Sequence, residues 1–279
     1  MSALIQMRQR IKAVETIKKV THAMRLISMA SHSRMRTQRS KVELYRQEIS
    51  RLLALIGKEH PTLPSPLKIN PESNRHLAIV IGSQKGLCGN FNNAIAAFFA
   101  RQYAAINPQD VDTIIVGKKV AELLSKREGQ TVMDLKVFNS TVIASIVRKI
   151  SAYLFEHSAD YGSIIIYYQY PKTFFAQKPT MLNLSQPFDA SQIRTSGEEQ
   201  YRFEADPENL LSYLTTKQVE IALHEALINS LIAEQAARFI AMDSSTRNAS
   251  NILDTMRLGY NKLRQAKITR ELTDLAASY

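Results

Sequence analysis

"MRQRIKAVETIKKVTHAMRLI", residues 7–27, contains neither glycine nor proline and places an apolar residue at every third or fourth position. Leu4, Met7, Ile11, Val14, Ile17, Val20, Met24 and Ile27 form one stripe, and that spacing predicts an amphipathic helix. The breaker-free stretch covers residues 1–56, so the predicted helix is long, about 3–56. All nine prolines and eight of the nine glycines fall between Gly57 and Pro207, and beyond Pro207 only Gly259 interrupts. A second long helix is therefore expected over about 209–276, where Ile252, Met256, Tyr260 and Leu263 repeat the spacing. Leu263, Ile268, Leu272 and Leu275 carry it on through "GYNKLRQAKITRELTDLAAS", residues 259–278. At 1.5 Å per residue such helices reach roughly 80–110 Å, longer than a compact domain of this size. They can bury their stripes most economically on each other, as a long antiparallel coiled coil. Two broken helices folded into a bundle are the alternative.

Between these ends the pattern changes. "HLAIVIGS" (76–83), "DTIIVG" (112–117), "DLKVF" (134–138), "GSIIIYYQY" (162–170) and "PTMLNL" (179–184) are short apolar runs. Helical segments such as "NNAIAAFFARQYAA" and "KKVAELLSKRE" separate them, which means an α/β domain with a Rossmann-like order. "GKEHPTLPSPLKINPESN" (57–74) reads as a linker, and 185–207 as another. The expected organisation is an N-terminal shaft helix over 1–58, an α/β domain over 59–206 and a C-terminal shaft helix over 207–279.

Charge is unevenly spread. The chain carries a net +11, and residues 1–58 hold 13 Lys/Arg against three Glu. Residues 207–279 balance eight against eight, yet 247–270 hold six basic residues and only Asp254. A basic arm can bind nucleic acid. This one carries an apolar stripe and no aromatic residue before Tyr45 to stack on bases, so a protein surface or solvent is the better reading. No run of about 18 apolar residues is present to span a bilayer, and one cysteine, Cys88, allows no internal disulfide.

Enzyme chemistry has no visible home. "GSQKGLCGNFNN" (82–93) sits where phosphate loops sit, but it lacks the Gly-Lys-Ser/Thr of a Walker loop and the spacing of a dinucleotide fingerprint. Its glycines read as tight-turn positions that let a helix pack on the sheet, and Cys88 as a small buried side chain. The six histidines show no metal-ligand spacing, and no hydrolase signature appears. No catalytic residue, cofactor site or metal site is expected. Acidic residues of the middle domain read as solvated surface.

Both ends resemble a known family. "MRQRIKAVETIKKVTHAMRLI" is similar to the opening helix of the gamma subunit of F-type ATP synthases, a central-stalk rotor subunit. "AEQAARFIAMDSSTRNASNILD" (233–254) and "YNKLRQAKITRELTDLAAS" (260–278) resemble its closing helix. "KGLCGNFN" resembles the family's glycine-rich turn, and "FEADPENLL" its step into the last helix. The resemblance implies a non-catalytic rotor of the F1 sector of a proton-translocating complex, coupling ion flow to ATP synthesis at the beta subunits. It implies alpha and beta subunits, an epsilon subunit and a c-subunit ring as partners, no nucleic acid, and no cofactor. It places the protein at the cytoplasmic face of a bacterial inner membrane, peripheral and attached only through the complex.

The same resemblance assigns residues. Met24 matches the methionine of the lower shaft that faces beta, and Arg238 the arginine of the family's Ala-Arg step. Arg264, Gln265 and Thr269 match the closing motif that meets the beta subunits, and Glu204 falls near the base. Seam packing for Met24 and ordinary surface polarity for the others are the plainer readings. Departures from the family pattern at Ser31, His32, Leu44, Gln84 and Lys85 leave open a diverged, ion-pumping F-type ATPase. A free coiled-coil adaptor and a nucleic-acid-binding arm are the readings from other classes.

Overall fold

The computed structural model describes residues 3–59, 67–104, 106–125, 129–185 and 206–277. Helix α1 spans Ala3–Glu59 and helix α5 spans Pro207–Ala276, matching the two breaker-free ends. Between them the order is β1 (His76–Ile81), α2 (Phe91–Gln102), β2 (Val111–Val116), α3 (Lys118–Leu124), β3 (Gln130–Leu135), α4 (Ile143–His157), β4 (Ser163–Pro171) and β5 (Gln177–Asn183). The third strand lies four residues earlier than "DLKVF" suggested, because it is an edge strand whose residues are all exposed or half-buried. It therefore carries no continuous apolar run.

The chain forms two compact units. One comprises Met1–Ala30 with Arg238–Tyr279, the other Ser31–Ala237. Helices α1 and α5 each contribute residues to both.

In the larger unit the strand order is β3-β2-β1-β4-β5, parallel throughout except for β5, which returns antiparallel on β4. Side chains of β1 alternate between two apolar layers. Leu77, Ile79 and Ile81 face a cluster built from α4 and from Val219, Leu223, Leu227 and Leu231 of α5. Ala78 and Val80 face Ile95 and Phe99 of α2 and Val120 and Leu124 of α3. Coverage on both faces explains why the strands read as near-continuous apolar runs. Further along, Ile49, Leu53 and Ile56 of α1 pack with Leu211, Leu214 and Ile221 of α5.

Gly82, of the 82–93 loop, serves the turn-packing role expected there, and Gly117 adds a tight turn that the sequence reading does not single out. A Cβ at Gly82, just after β1, would lie 2.4 Å from the Val120 Cβ, so α3 could not approach the strand. Gly117 opens α3 with φ of 105°, a left-handed conformation in which its Cα faces the Gly82 carbonyl.

Candidate interaction surface

In the smaller unit α1 and α5 run antiparallel. Arg25 Nη1 donates to Asp243 Oδ1 at 2.7 Å, Thr246 Oγ1 to Thr21 Oγ1 at 2.9 Å, and Lys18 Nζ to Ser250 Oγ at 3.0 Å. Arg257 Nη2 reaches Glu15 Oε1 at 2.7 Å. Nearer the start of α1, a Cβ at Gly259 would sit 3.7 Å from the Met7 methyl. The covered row on α1 is Leu4, Met7, Ile11, Val14, Lys18, Thr21, Arg25 and Ser28, with Glu15 and Met24 half-buried beside it; on α5 it is Met242, Thr246, Ala249, Leu253, Met256 and Tyr260. Both rows step by three and four alternately, the 3.5-residue period of helices packed along one seam.

This corrects the stripe read from the sequence. It agrees with the seam as far as Val14, then departs. The apolar row steps 14, 17, 20, 24, 27, a mean stride too short for the seam, and so walks around the helix. Ile17, Val20 and Ile27 end up exposed, Ile27 at 63%. Their seam places are taken by Lys18, Thr21 and Arg25, with polar partners across, and by Ser28, whose hydroxyl donates to the Met24 carbonyl of its own helix at 2.8 Å. Asp243 also accepts from Arg247. The hydrogen bond from Arg25, with Arg247 beside it, holds the Asp243 carboxyl below the usual carboxylate range.

The final turns of α5 differ from the seam. Residues 261–277 are exposed, including Leu263, Ile268, Leu272 and Leu275. Among the described residues the seam row of α1 begins at Leu4 and meets α5 near Gly259 and Tyr260, and the stripe at Leu263, Ile268 and Leu272 lies beyond it. The expectation that Leu263 lies within the seam is thereby corrected: it is 41% exposed. On this exposed stretch Lys262, Arg264, Lys267 and Arg270 give positive charge. Lys267 pairs with Glu271 at 3.4 Å, while Arg264 and Arg270 have no acidic partner among the described residues.

The residues assigned from the motif resemblance distribute as follows. Arg264, Gln265 and Thr269 are exposed on one terminal stretch, with Thr269 Oγ1 donating to the Gln265 carbonyl at 3.0 Å. Met24 is half-buried between exposed Val20 and Ile27. Arg238 is buried, with 6% exposure, and offers its surroundings a packed side chain more than a free face. Glu204 lies outside the described residues.

The α/β unit has the crevice where doubly wound folds hold nucleotides, at the ends of β1 and β4. Here most of the polar groups are engaged internally, although the buried Gln169 Oε1 has no partner among the described residues. Asn92 Nδ2 donates to Ser83 Oγ at 2.7 Å while its Oδ1 accepts from the Ser83 amide at 2.9 Å. Gln169 Nε2, from β4, donates to the Phe91 carbonyl at 3.1 Å. Cys88 is buried with Phe91 and Ala233, the small packed cysteine its context suggested. Among the described residues no group of three or more His, Cys, Asp or Glu could hold a metal ion.

One buried polar network escaped sequence reasoning. Asp112, read as solvated surface, is 1% exposed at the start of β2. Its Oδ2 accepts from Arg75 Nη2 at 2.6 Å and from the Tyr161 hydroxyl at 2.8 Å, and Tyr153 meets Tyr161 at 2.8 Å. Burial, with hydrogen bonds to Tyr153 and Asp112, pushes the Tyr161 phenol well up. Only the polar residue inside "VDTIIV" hinted at this.

Comparison with known proteins agrees with this architecture along the whole chain. A family model described as ATP synthase matches residues 3–279. The ATP synthase gamma chain of Brucella anthropi is 30% identical over 299 residues, covering 99% of this chain and 98% of that one. That of Brucella canis is 30% identical over 289 residues with the same coverage. A chain of the Euglena gracilis mitochondrial ATP synthase (OSCP/F1/c-ring, rotational state 3) superimposes with a TM-score of 0.67 at 17% identity, covering 99% of this chain and 93% of that one. A chain of the Tetrahymena thermophila mitochondrial ATP synthase central stalk and c-ring gives 0.57 at 18% identity, covering 81% and 98%. With a family match and 30% identity spanning nearly its full length, the chain belongs to the ATP synthase gamma-chain family.

Proposed function

We propose that this chain is the non-catalytic central-stalk rotor subunit of the F1 sector of an F-type ATP synthase. The observation that carries the reading is the terminal stretch 261–277 of α5, exposed throughout, with an apolar stripe and two arginines lacking acidic partners among the described residues. Such a surface asks for an enclosing partner that is apolar where it meets the leucines and acidic where it meets the arginines. A ring of alpha and beta subunits supplies that. Rotation of the asymmetric helix pair inside the ring would drive the catalytic sites on beta through their conformations in turn, with no bond chemistry in this chain.

In this reading Met24, with exposed Val20 and Ile27 around it, faces the beta subunits from α1. Arg264, Gln265 and Thr269 meet them from α5, where matched charge steers and registers contact more than it tightens it. Arg238, being buried, serves by holding the helix that presents those residues. Glu204 belongs to the base, where the epsilon subunit and the c-subunit ring attach. The protein is then peripheral to the cytoplasmic face of a bacterial inner membrane. Among the described residues, no helix is long and apolar enough to cross a bilayer.

The test is reconstitution with alpha, beta and the membrane sector in vesicles. The wild-type chain is expected to co-assemble and support ATP-driven ion pumping. Arg264→Ala combined with Gln265→Ala should assemble but pump poorly, since a hydrogen bond to a charged group contributes about 1.5–3 kcal/mol. Failure of the wild-type chain to assemble would refute the rotor reading. Unimpaired pumping by the double variant would remove these two residues from it.

A further inference from the structure

Within the larger unit a groove of about 530 Å³ opens between α1, α4 and α5. Its floor is carbon: Val147 and Ile221 are buried, and Val42 is half-buried. Lys41 and Arg148 stand exposed on its rim, and Tyr45 adds an exposed aromatic edge.

The charges around it do not cancel. Lys217 and Glu220, also on the groove, pair with each other at 2.7 Å, and Lys217 sits 5.5 Å over the Tyr213 ring. The one carboxylate among the described lining residues is thereby satisfied. Lys41 and Arg148 have no acidic partner among the described residues. Burial holds His224 below the ordinary imidazole range, so it adds no charge near neutral pH.

We propose that this groove docks an acidic amphipathic helix from another subunit of the complex. Helix-in-groove recognition lays an apolar row into a concave apolar floor, and carboxylates flanking that row would meet Lys41 and Arg148. A small anion fits less well, because both cations stand in solvent and the floor offers it no hydrogen-bond donor. A membrane surface fits less well because the feature is concave and built from three helices. The proposal rests on the rotor reading, since the partner is taken from that assembly.

The experiment places the photo-crosslinking residue p-benzoylphenylalanine at Tyr45 in the fully assembled complex and maps the products by mass spectrometry. The expected result is one dominant crosslink, to an acidic helical segment of one partner subunit. Lys41→Glu with Arg148→Glu should reduce its yield about tenfold, and raised salt should weaken it in the parent, as rim charges do. Lys41→Gln with Arg148→Gln, milder changes at two exposed positions, should give an intermediate loss and guard against misfolding of the reversal. A crosslink to a basic or non-helical segment, no crosslink in a complex that pumps, or a yield indifferent to all four substitutions would overturn the proposal. Failure of the parent complex to assemble would instead count against the rotor reading itself.

Discussion

Residues 31–237 bury a sheet between two layers of aliphatic and aromatic side chains, with Leu77, Ile79, Ile81, Ile114 and Ile150 wholly inaccessible. Residues 3–30 and 238–277 bury a single row, and half of that row on α1 is Lys18, Thr21, Arg25 and Ser28. An apolar core tolerates sliding of one Leu past another. A seam of hydrogen-bonded pairs does not, because slipping it would strand Arg25 and Asp243 away from partners. The larger unit is thus built for stability and the helix pair for register, at a cost in stability. Under the proposed rotor reading, that division suits a part that transmits motion without slipping.

The largest expected effect tests the carbon side of this contrast. Ile79→Ala empties a fully buried site on the central strand and should destabilise the α/β unit by about 2–5 kcal/mol in urea unfolding followed by near-ultraviolet circular dichroism. A loss below about 1 kcal/mol would mean that the two layers do not hold the unit.

Next comes the seam, where the sign reverses. Thr21→Leu adds apolar surface at a buried position, and the Thr246 hydroxyl keeps its other acceptor, the Met242 carbonyl at 2.7 Å. The helix pair should gain about 1 kcal/mol, read as slower amide exchange in 242–256. Destabilisation would show that the threonine pair contributes more than register.

Titration separates the two units as well. The folded Asp243 carboxyl sits below its ordinary value, so its contribution is present above the unfolded carboxylate pKa and is lost as pH falls through the folded one. Glu225 is shifted the other way: burial raises it against the opposing pull of Arg46, so ionising it carries a cost that disappears on acidification. Asp243→Asn should therefore lower Tm at neutral pH and Glu225→Gln raise it, with both differences closing as pH falls below the carboxylate range. Shifts of the same sign for the two variants would contradict this assignment.

The smallest effect belongs to the uncovered tail. Leu263→Asp, on a helix face with no cover among the described residues, should change the isolated chain's melting by no more than about 0.5 kcal/mol. A large loss would place Leu263 in an intramolecular contact and undo the contrast between seam and tail.

Much of the fold was legible because glycine and proline punctuate this chain so unevenly. Two stretches free of them became α1 and α5, and five apolar runs became five strands, with β3 displaced because an edge strand has no buried run to announce it. The seam was less legible. Ile17, Val20 and Ile27 look like seam residues because hydrophobicity reports a preference for cover without naming what covers it. Thr21 and Ser28 look like surface, although the partner helix covers them. Asp112 was missed for a related reason: its partners Arg75 and Tyr161 lie 37 and 49 residues away in sequence. For the terminal stretch, Arg264, Gln265 and Thr269 are singled out by a motif resemblance alone, since nothing local distinguishes a contact residue from a solvated face.

The mixed seam also bears on how the chain is made. Its α1 half leaves the ribosome first, and Arg238 follows only after the whole larger unit has emerged. At ~5–20 residues per second that wait is roughly 10–40 s. A helix carrying an unbroken leucine row for that time would invite chaperones or other nascent chains. Lysine, threonine, arginine and serine in the second half of the row leave the waiting helix with fewer apolar groups to hold in water, beside the exposed Ile17, Val20 and Ile27, until its proper mate is synthesised.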